Sequence, residues 1–363
     1  MTHFRPSMSL IATRLGVSVA SVSNALAGKG RVSPELAGRI REVAAEVGYV
    51  PRMAGRALRT GRSQVLGLVL PDIANPLFPQ IAQAIESAAA AAGYGILIAD
   101  SRNDVATQTQ VIGRLLERGV DGVAIVLRRG TRVADIGIPV AVIDSPSTPG
   151  NTVSADHWQG GQLVMEHLLS LGHRKILIVG NNPASNVQND RIGGMRSCLG
   201  AEVHSEVIWV EKIEAAHGKG CALGLADYAR RGFTACATVS DLTALRALTE
   251  VLGAGIAVPE AMSVTGFDDL VWSAVVRPSL TTLQMDMATI ATVAVEALVA
   301  AIGTDSGPRG PVRPLPGRPD RVPMRLIARQ STARPDAANA QPAHPVPART
   351  GPNQNDSNGG FPT

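Results

Sequence analysis

A short polar run near the amino terminus carries side chains that can make directed hydrogen bonds. Hydroxyl and amide groups of this kind bind phosphate oxygens and the edges of bases, and small apolar side chains contact the thymine methyl group. The segment SVASVSNAL therefore offers the chemistry of a nucleic-acid contact. The candidate residues are Ser18, Val19, Ala20, Ser21, Ser23 and Asn24.

A second set of candidates consists of polar residues that directly follow apolar runs. Carboxylates and amides grouped at strand ends suit a hydroxyl-rich ligand, which needs several directed hydrogen bonds. The alternative for each aspartate is that it merely caps the helix that follows. These residues are Asp72, Asn75, Asp144, Ser240, Asp241, Asp268 and Asp269.

Motifs for catalysis and for metal or cofactor binding are absent from the sequence. It contains no GxSxG, no HExxH and no P-loop, and GNNPASN is too poor in glycine to cradle a phosphate. The three cysteines, Cys198, Cys221 and Cys236, form no CxxC pair, so we expect reduced, buried thiols and no zinc site. We therefore expect no catalytic residue and no cofactor.

Charge is distributed unevenly along the 363 residues. Residues 1–62 hold ten basic and three acidic residues, a net charge of +7, against −3 for the rest. A basic head on a mildly acidic body indicates a polyanionic partner for the head, although a solvated basic face is the alternative.

The head is predicted to form three short helices. Apolar residues at helical spacing predict the first over Met8–Leu15, which Gly16 ends, and Ser18 can cap the second. Ser33, Pro34 and Glu35 are typical of the start of a third helix, which Gly48 ends. Two helices joined by a tight turn and braced by a third indicate a helix-turn-helix; an ordinary three-helix satellite domain is the alternative.

The body alternates apolar runs with longer helical patterns. Runs such as VLGLVL, GILIA and GVAIVL predict strands buried on both faces of parallel sheets, and the series restarts near KILIVG. We therefore expect two similar, doubly wound α/β lobes, with a ligand cleft at the carboxyl ends of their strands. An aromatic content of only 3% agrees with cores of Ala, Val, Leu and Ile.

Several segments, in order, resemble the LacI (lactose repressor) family of bacterial transcription regulators. They include GVSVASVSNALAGKGRVSPELAGRIREVAAEVGYVP, RMAGRALRTGRSQVLGLVLPDIANPLFPQI, EHLLSLGHRKILIVG and VPEAMSVTGFDDL, and the likeness covers about residues 7–332. The resemblance implies an N-terminal all-α helix-turn-helix domain and an α/β, periplasmic-binding-protein-like body of two doubly wound parallel-sheet lobes.

The resemblance also implies a hinge helix over Pro51–Arg59 that folds on DNA. Leu58 matches the leucine that wedges into the minor groove, and Arg56 and Arg59 are placed for flanking phosphates. The alternative for Leu58 is a linker leucine packed on the body. Gly55 weakens this helix by roughly 1 kcal/mol relative to alanine.

By the same resemblance, the effector-contact positions of the family fall in the predicted cleft. Together with Asn75, which follows the first strand, we take them as contacts for a small-molecule effector, and their chemistry indicates a sugar or sugar derivative. The stretch IEAAHG has no aromatic residue to stack on the ligand, so Trp209 and Trp272 are candidates for that role. The effector positions are Phe78, Asp144, Arg191, Ser240, Asp268 and Gln284.

These inferences divide the chain into four parts. The domains are residues 1–50, a hinge over 51–62, an effector-binding and dimerisation body over 63–332, and a disordered tail over 333–363. The body divides into an N-lobe (63–154 with 286–303) and a C-lobe (155–282 with 320–332), and residues 303–321 form a long linker.

The sequence predicts a repressor that binds a palindromic double-stranded operator as a homodimer and is released by its effector. A periplasmic-type sugar-binding protein is the alternative, but it would need a leader sequence and no DNA-binding head. No basic segment followed by an apolar core opens the chain, and no run of about 18 apolar residues occurs. We therefore expect a cytoplasmic protein with no membrane partner.

Overall fold

The computed structural model describes residues 6–26, 28, 32–49, 61–127, 129–134, 136–304 and 309–336. The head contains α1 (Met8–Leu15), α2 (Val19–Leu26) and α3 (Pro34–Glu46), which confirms the three predicted helices. The backbone N–H of Ser21 donates to Ser18 Oγ (3.0 Å) at the start of α2.

The head has a small apolar core of its own. Ile11, Val22 and Ile40 come from three different helices and are fully buried, and Ala25 is 3% exposed. They pack in one cluster separate from the cores of the body. The head is therefore a three-helix unit in which the opposite face of α2 is left for solvent or a partner.

The N-lobe is built on one parallel sheet, with strand order β2-β1-β3-β4. The run GILIA, predicted to be buried on both faces, forms the edge strand β2, and Ile98 on it is 54% exposed. An edge strand pairs on one side only, so an apolar run alone does not place a strand in the middle of a sheet. The N-lobe elements are β1 (Val65–Leu70), α4 (Leu77–Ala91), β2 (Gly95–Asp100), α5 (Val105–Glu117), β3 (Gly122–Ile125), β4 (Val140–Val142) and α12 (Met287–Ile302).

The C-lobe repeats this topology, with strand order β7-β6-β8-β9. Its edge strand β7, HSEVIW, has mixed polarity and was missed by the apolar-run criterion. The C-lobe elements are α6 (His157–Ser170), β6 (Lys175–Gly180), α7 (Asn186–Ser197), β7 (His204–Trp209), α8 (Val210–His217), α9 (Leu225–Arg230), β8 (Ala235–Thr238), α10 (Asp241–Gly253), β9 (Ser263–Thr265) and α11 (Val271–Val275).

Short strands lie where the chain passes between the lobes. β5 (Ser154–Ala155) pairs with β11 (Arg321–Val322), and β10 (Thr282–Gln284) pairs antiparallel with β12 (Arg325–Ile327). The segment 303–321 is more than a linker: Val140 N donates to Gly310 O and Val312 N donates to Val140 O, both at 2.8 Å. Residues 310–312 therefore extend the N-lobe sheet beyond β4.

Two further expectations concern the thiols and the membrane. The cysteines are free, as expected; Cys236 is buried and its burial raises its pKa to about 12, whereas Cys198 and Cys221 are half-buried. Within the ranges that the structure describes, no single helix could cross a membrane; α1 and α2 together have the length and composition but meet at 109°.

Helices α6 and α7 approach each other through glycines. A Cβ atom added to Gly161 would lie 2.1 Å from Arg191 O, and one added to Gly194 would lie 2.0 Å from Trp158 O. The two backbones are therefore in contact, which any side chain at these positions would prevent. This contact brings α7 against the first turn of α6.

The carboxyl-terminal segment is held on the C-lobe by a buried histidine. Nδ1 of His173 lies 2.8 Å from Thr234 Oγ1, and its Nε2 lies 3.1 Å from Ser263 Oγ and 3.0 Å from Ala333 O. Burial lowers the pKa of His173 to about 4. The ring is therefore neutral when the segment is docked.

Because His173 is neutral in the fold but protonates near pH 6.5 when unfolded, stability is lost as pH falls from about 6.5 toward 4. We expect His173→Gln to reduce this acid loss by up to about 3 kcal/mol, at about 1.4 kcal/mol per pKa unit. Urea unfolding at pH 7 and pH 4.5 measures it. His217→Gln, at an exposed histidine of α8, is the control; an unchanged pH dependence in His173→Gln would contradict the assignment.

Candidate functional site

The first candidate surface is the outer face of α2. Ser18, Val19, Ala20 and Asn24 are exposed, and Val19 is 44% exposed although it is apolar. Ser21 and Ser23 are half-buried. The structure thus places the predicted residues on one surface at or beside the amino-terminal end of α2, where backbone N–H groups favour an anion.

The serines at this end are partly engaged with one another. Ser18 Oγ lies 2.9 Å from Ser21 Oγ and caps the helix through Ser21 N. Asn24, one turn further on, has an exposed side chain. The predicted hinge residues Arg56, Leu58 and Arg59 lie outside the described residues.

The second candidate site is a cavity of about 640 Å³ between the two lobes. Six of the seven predicted effector positions line it, three from each lobe, at the carboxyl ends of the strands or just beyond them. The N-lobe supplies Asn75, Phe78 and Asp144, and the C-lobe supplies Arg191, Ser240 and Asp268.

The structure does not bring Gln284 together with the other six. Its Nε2 donates to Asp269 Oδ2 (2.8 Å), and its Oε1 accepts from Arg325 (2.6 Å). The next residue, Met285, lines the cavity instead. Neither Trp209 nor Trp272 belongs to the lining, so Phe78 supplies the phenyl ring there.

Arg191 is a buried cation in the lining of the cavity. It is 3% exposed, and its guanidinium lies over the Phe267 ring, 4.4 Å from the centroid. Its NH2 lies 3.1 Å from Asp268 Oδ1, and its NH1 donates to the carbonyl of Val239. A cation this deeply buried is tolerated because it is paired and hydrogen-bonded.

Asp268 is held in a strained backbone conformation. Its φ is +108° and that of Asp269 is +49°, in the region that non-glycine residues rarely adopt. Asp241 fixes this loop, because its Oδ2 accepts from Leu270 N (2.7 Å) and Ser273 Oγ (2.6 Å). Asp241 therefore positions the loop from outside the cavity, and it is not the cap of α10, since Ser240 caps that helix.

His157 was missed by the sequence reasoning. It is the first residue of α6, and its Nδ1 accepts from Arg191 Nε (3.3 Å), so its Nε2 carries the proton and donates to Asp144 O (3.2 Å). Burial, with the Arg191 cation nearby, lowers the pKa of His157 well below its usual range. This neutral ring links a predicted ligand residue of each lobe, and a single histidine after a two-residue strand gives no sequence signal of that.

The loop after β4 contacts α7 on the same side of the cavity. Thr148 Oγ1 donates to Asp144 Oδ2 (2.5 Å) and lies 2.9 Å from Asn186 Nδ2. Ser145 Oγ donates to Asp190 Oδ2. Because the loop belongs to the N-lobe and α7 to the C-lobe, these hydrogen bonds join the two walls of the cleft. Among the described residues, the cleft included, no group of three or more His, Cys, Asp or Glu side chains could hold a metal ion.

Comparison with known proteins agrees with this combination of head and cleft. Residues 7–52 match the family described as bacterial regulatory proteins, lacI family, and residues 165–332 match a periplasmic binding protein-like domain. The HTH-type transcriptional regulator DegA of Bacillus subtilis (strain 168) is 30% identical over 286 residues, covering 75% of this chain and 84% of that protein.

A second curated relative and a solved structure are also similar to this chain. The ribose operon repressor of Haemophilus influenzae is 27% identical and covers 76% of this chain and 86% of its own length. The crystal structure of the lac repressor dimer bound to operator and the anti-inducer ONPF has a TM-score of 0.72 at 22% identity, covering 91% of this chain and all of that one, which shows the shared fold.

A helix-turn-helix head joined to a two-lobed cleft defines a DNA-binding transcription regulator. The chain belongs to the lacI family of bacterial regulatory proteins. The match over the head excludes a solute-binding protein without a DNA-binding head as an account of the whole chain.

Proposed function

We propose that this protein is a repressor that binds a palindromic operator as a homodimer and releases it when a sugar-type effector enters the cleft. The observation that carries the proposal is the exposed polar face of α2 on the same chain as a cavity walled by both lobes. Two heads related by a two-fold axis read two half-sites, so an operator palindrome matches the dimer.

The effector acts through linkage between the two sites. A ligand that contacts both lobes favours the closed arrangement, and the arrangement that binds DNA loses population in proportion to the difference in affinity. Such closure would adjust two hydrogen bonds between the lobes. One joins Ser145 to Asp190 on α7, and the other joins Asp144 O to His157 on α6. We propose that the protein works by binding alone, without catalysis, in the cytoplasm.

The test uses genomic fragments and the full chain. A gel-shift experiment is expected to find one fragment that outcompetes bulk DNA, and a sugar is expected to lower the affinity for that fragment. If no fragment is preferred, the regulator has no operator among those tested and the proposal fails. If a fragment is bound but no sugar changes the affinity, the effector part fails.

The exposed apolar face of α11 is the surface that we propose for dimerisation. Val271 and Val275 lie one helical turn apart and are 68% and 61% exposed, and Trp272 beside them is 42% exposed. A patch of this kind on a protein surface marks an interaction site.

We expect Val271→Asp to dissociate the dimer, because a carboxylate buried in an apolar interface has no partner there. Sedimentation velocity should show a monomer where the parent protein shows a dimer, and operator affinity should fall with it. Leu315→Asp, at an exposed apolar residue of the segment before β11, is the control. A dimer in both variants would place the interface elsewhere.

A further inference from the structure

The charged side chains that line the cleft are mostly acidic. Among the described lining residues, Asp72, Asp144, Glu211 and Asp268 face two cations, Arg191 and Arg246. A lining with this excess of carboxylates repels an anionic ligand and attracts hydroxyl and ammonium donors.

Both cations of the lining are already committed to acids of the chain. Arg191 is paired with Asp268, and it also donates to Val239 O and His157 Nδ1. Arg246 NH1 lies 2.7 Å from Glu214 Oε1, and its NH2 donates to Cys221 O (2.6 Å). Neither guanidinium therefore presents the two-pronged face that binds a phosphate or carboxylate.

Side chains also occupy backbone N–H groups at and before the amino-terminal end of α7. Gln188 folds its side chain back so that Oε1 accepts from Asn181 N (2.8 Å) and Asn182 N (2.9 Å). Ser185 Oγ accepts from Gln188 N (3.3 Å). Backbone N–H groups at a helix start are the usual anion ligands, and here Gln188 N in the first turn and two N–H groups of the preceding loop are bound by side chains of the chain itself.

Two further helices that begin at the cleft, α10 and α4, show a similar pattern. Ser240 Oγ accepts from Thr243 N (3.2 Å) at the start of α10. Before α4, Asn75 Oδ1 accepts from Leu77 N (3.1 Å) and Asp72 Oδ1 accepts from Ala74 N (2.9 Å). At these three helix starts, side chains of the chain thus occupy backbone N–H groups that could otherwise hold an anion. Helix α8, whose Val210 and Glu211 also line the cleft, has no side-chain cap, but the Glu211 carboxylate lies in its first turn.

Asp268 adds a requirement for hydrogen-bond donors. Its Oδ1 is buried and has no hydrogen bond of good geometry, although Arg191 NH2 lies at ion-pair distance. Burial raises the pKa of Asp268 to about 7. A hydroxyl or an ammonium group stabilises the carboxylate, whereas a second anion beside it would oppose its ionisation.

We infer that the cleft selects an uncharged or amine-bearing sugar and rejects sugar phosphates and sugar acids. The inference rests on the proposed function, since it names the class of effector for that same site. Its basis is the charge balance of the lining, the two committed guanidinium groups and the three capped helix starts.

Isothermal titration of the full chain with matched sugars tests the selection. The sets are glucose, glucosamine, glucose 6-phosphate and gluconate, and then ribose with ribose 5-phosphate and maltose with maltose 6-phosphate. We expect a neutral or amino sugar to bind and its phosphate or acid to bind at least tenfold more weakly. Binding is assigned to the cleft when Asp144→Ala abolishes it with an unchanged thermal midpoint.

Asp144→Asn keeps the shape of the side chain and removes its charge. It is therefore expected to reduce the difference in affinity between neutral and anionic sugars. Tighter cleft binding of a phosphate or acid would overturn the inference, as would a panel in which no neutral or amino sugar binds. If an anionic sugar releases the operator, the inferred selection against anions is wrong, but the proposed repressor mechanism stands. A neutral sugar that binds without affecting operator affinity defeats the proposed repressor mechanism and leaves the selection standing.

Discussion

Replacing Asn24 with alanine is expected to weaken operator binding about ten- to hundredfold, because a lost base contact costs about 1–3 kcal/mol. Asn24 is exposed on the outer face of α2, where its amide can pair with an adenine edge. Fluorescence anisotropy with the preferred operator and with a scrambled duplex measures the change. Non-specific binding to the scrambled duplex should be unaffected, since the substitution removes no charge.

Ala45→Ser is the matched control for this experiment. Ala45 is exposed on α3, outside the face proposed to contact DNA, so the variant should bind both duplexes like the parent. If Asn24→Ala lowers affinity for both duplexes equally, Asn24 contacts the phosphate backbone or supports the fold. If it changes neither, α2 does not read bases through this residue.

Gly194→Ala is expected to lower the free energy of unfolding by about 3 kcal/mol or more, since overpacking alone costs about 1–3 kcal/mol and here meets backbone. The added methyl would lie 2.0 Å from Trp158 O, which no rotamer change relieves. Helices α6 and α7 must separate, and His157 then loses its bond to Arg191. Chemical denaturation measures the first effect, and titration with the effector sugar measures the second.

Gly113→Ala is the control for Gly194→Ala. It introduces alanine into a helix without a steric clash, so it shows the effect of the glycine-to-alanine change alone. Gly113 lies within α5, and a Cβ there meets nothing within 4 Å. This variant should be more stable by about 0.5–1 kcal/mol, because alanine favours helix over glycine. Equal loss of stability in both variants would mean that the contact between α6 and α7 is not the cause.

Local signals in the sequence predicted the helices of the head and the strand–helix order of the body. Ser18 and Ser33 cap helices as expected, and VLGLVL and KILIVG form central strands. These features depend on residues close together in the chain. Because parallel strands end at one edge, the strand ends likewise predicted five polar residues of the cleft, whereas the candidates Asp241 and Asp269 lie outside its lining. The five are Asp72, Asn75, Asp144, Ser240 and Asp268.

Features that depend on contacts between distant segments could not be predicted in this way. The exposure of β2 depends on which strand lies beside it, and the bond of His157 to Arg191 depends on glycines in two separate helices. The side chain of Gln284 turns to Asp269 and Arg325, 15 and 41 residues away. The hydrogen bonds of the Gln188 side chain to Asn181 N and Asn182 N likewise leave no signal in the neighbouring sequence.

Both ends of the stretch 313–320 are anchored, one on each lobe. Residues 310–312 pair with β4 of the N-lobe, and Met324 N, just after β11, donates to Gln159 Oε1 on α6 of the C-lobe (2.9 Å). Most of the stretch between them is exposed. A single cut by a protease within 313–319 would therefore leave two fragments that stay associated, since each new end remains hydrogen-bonded to a different lobe. Such a nicked protein would keep its cleft while losing one of the covalent connections between the lobes.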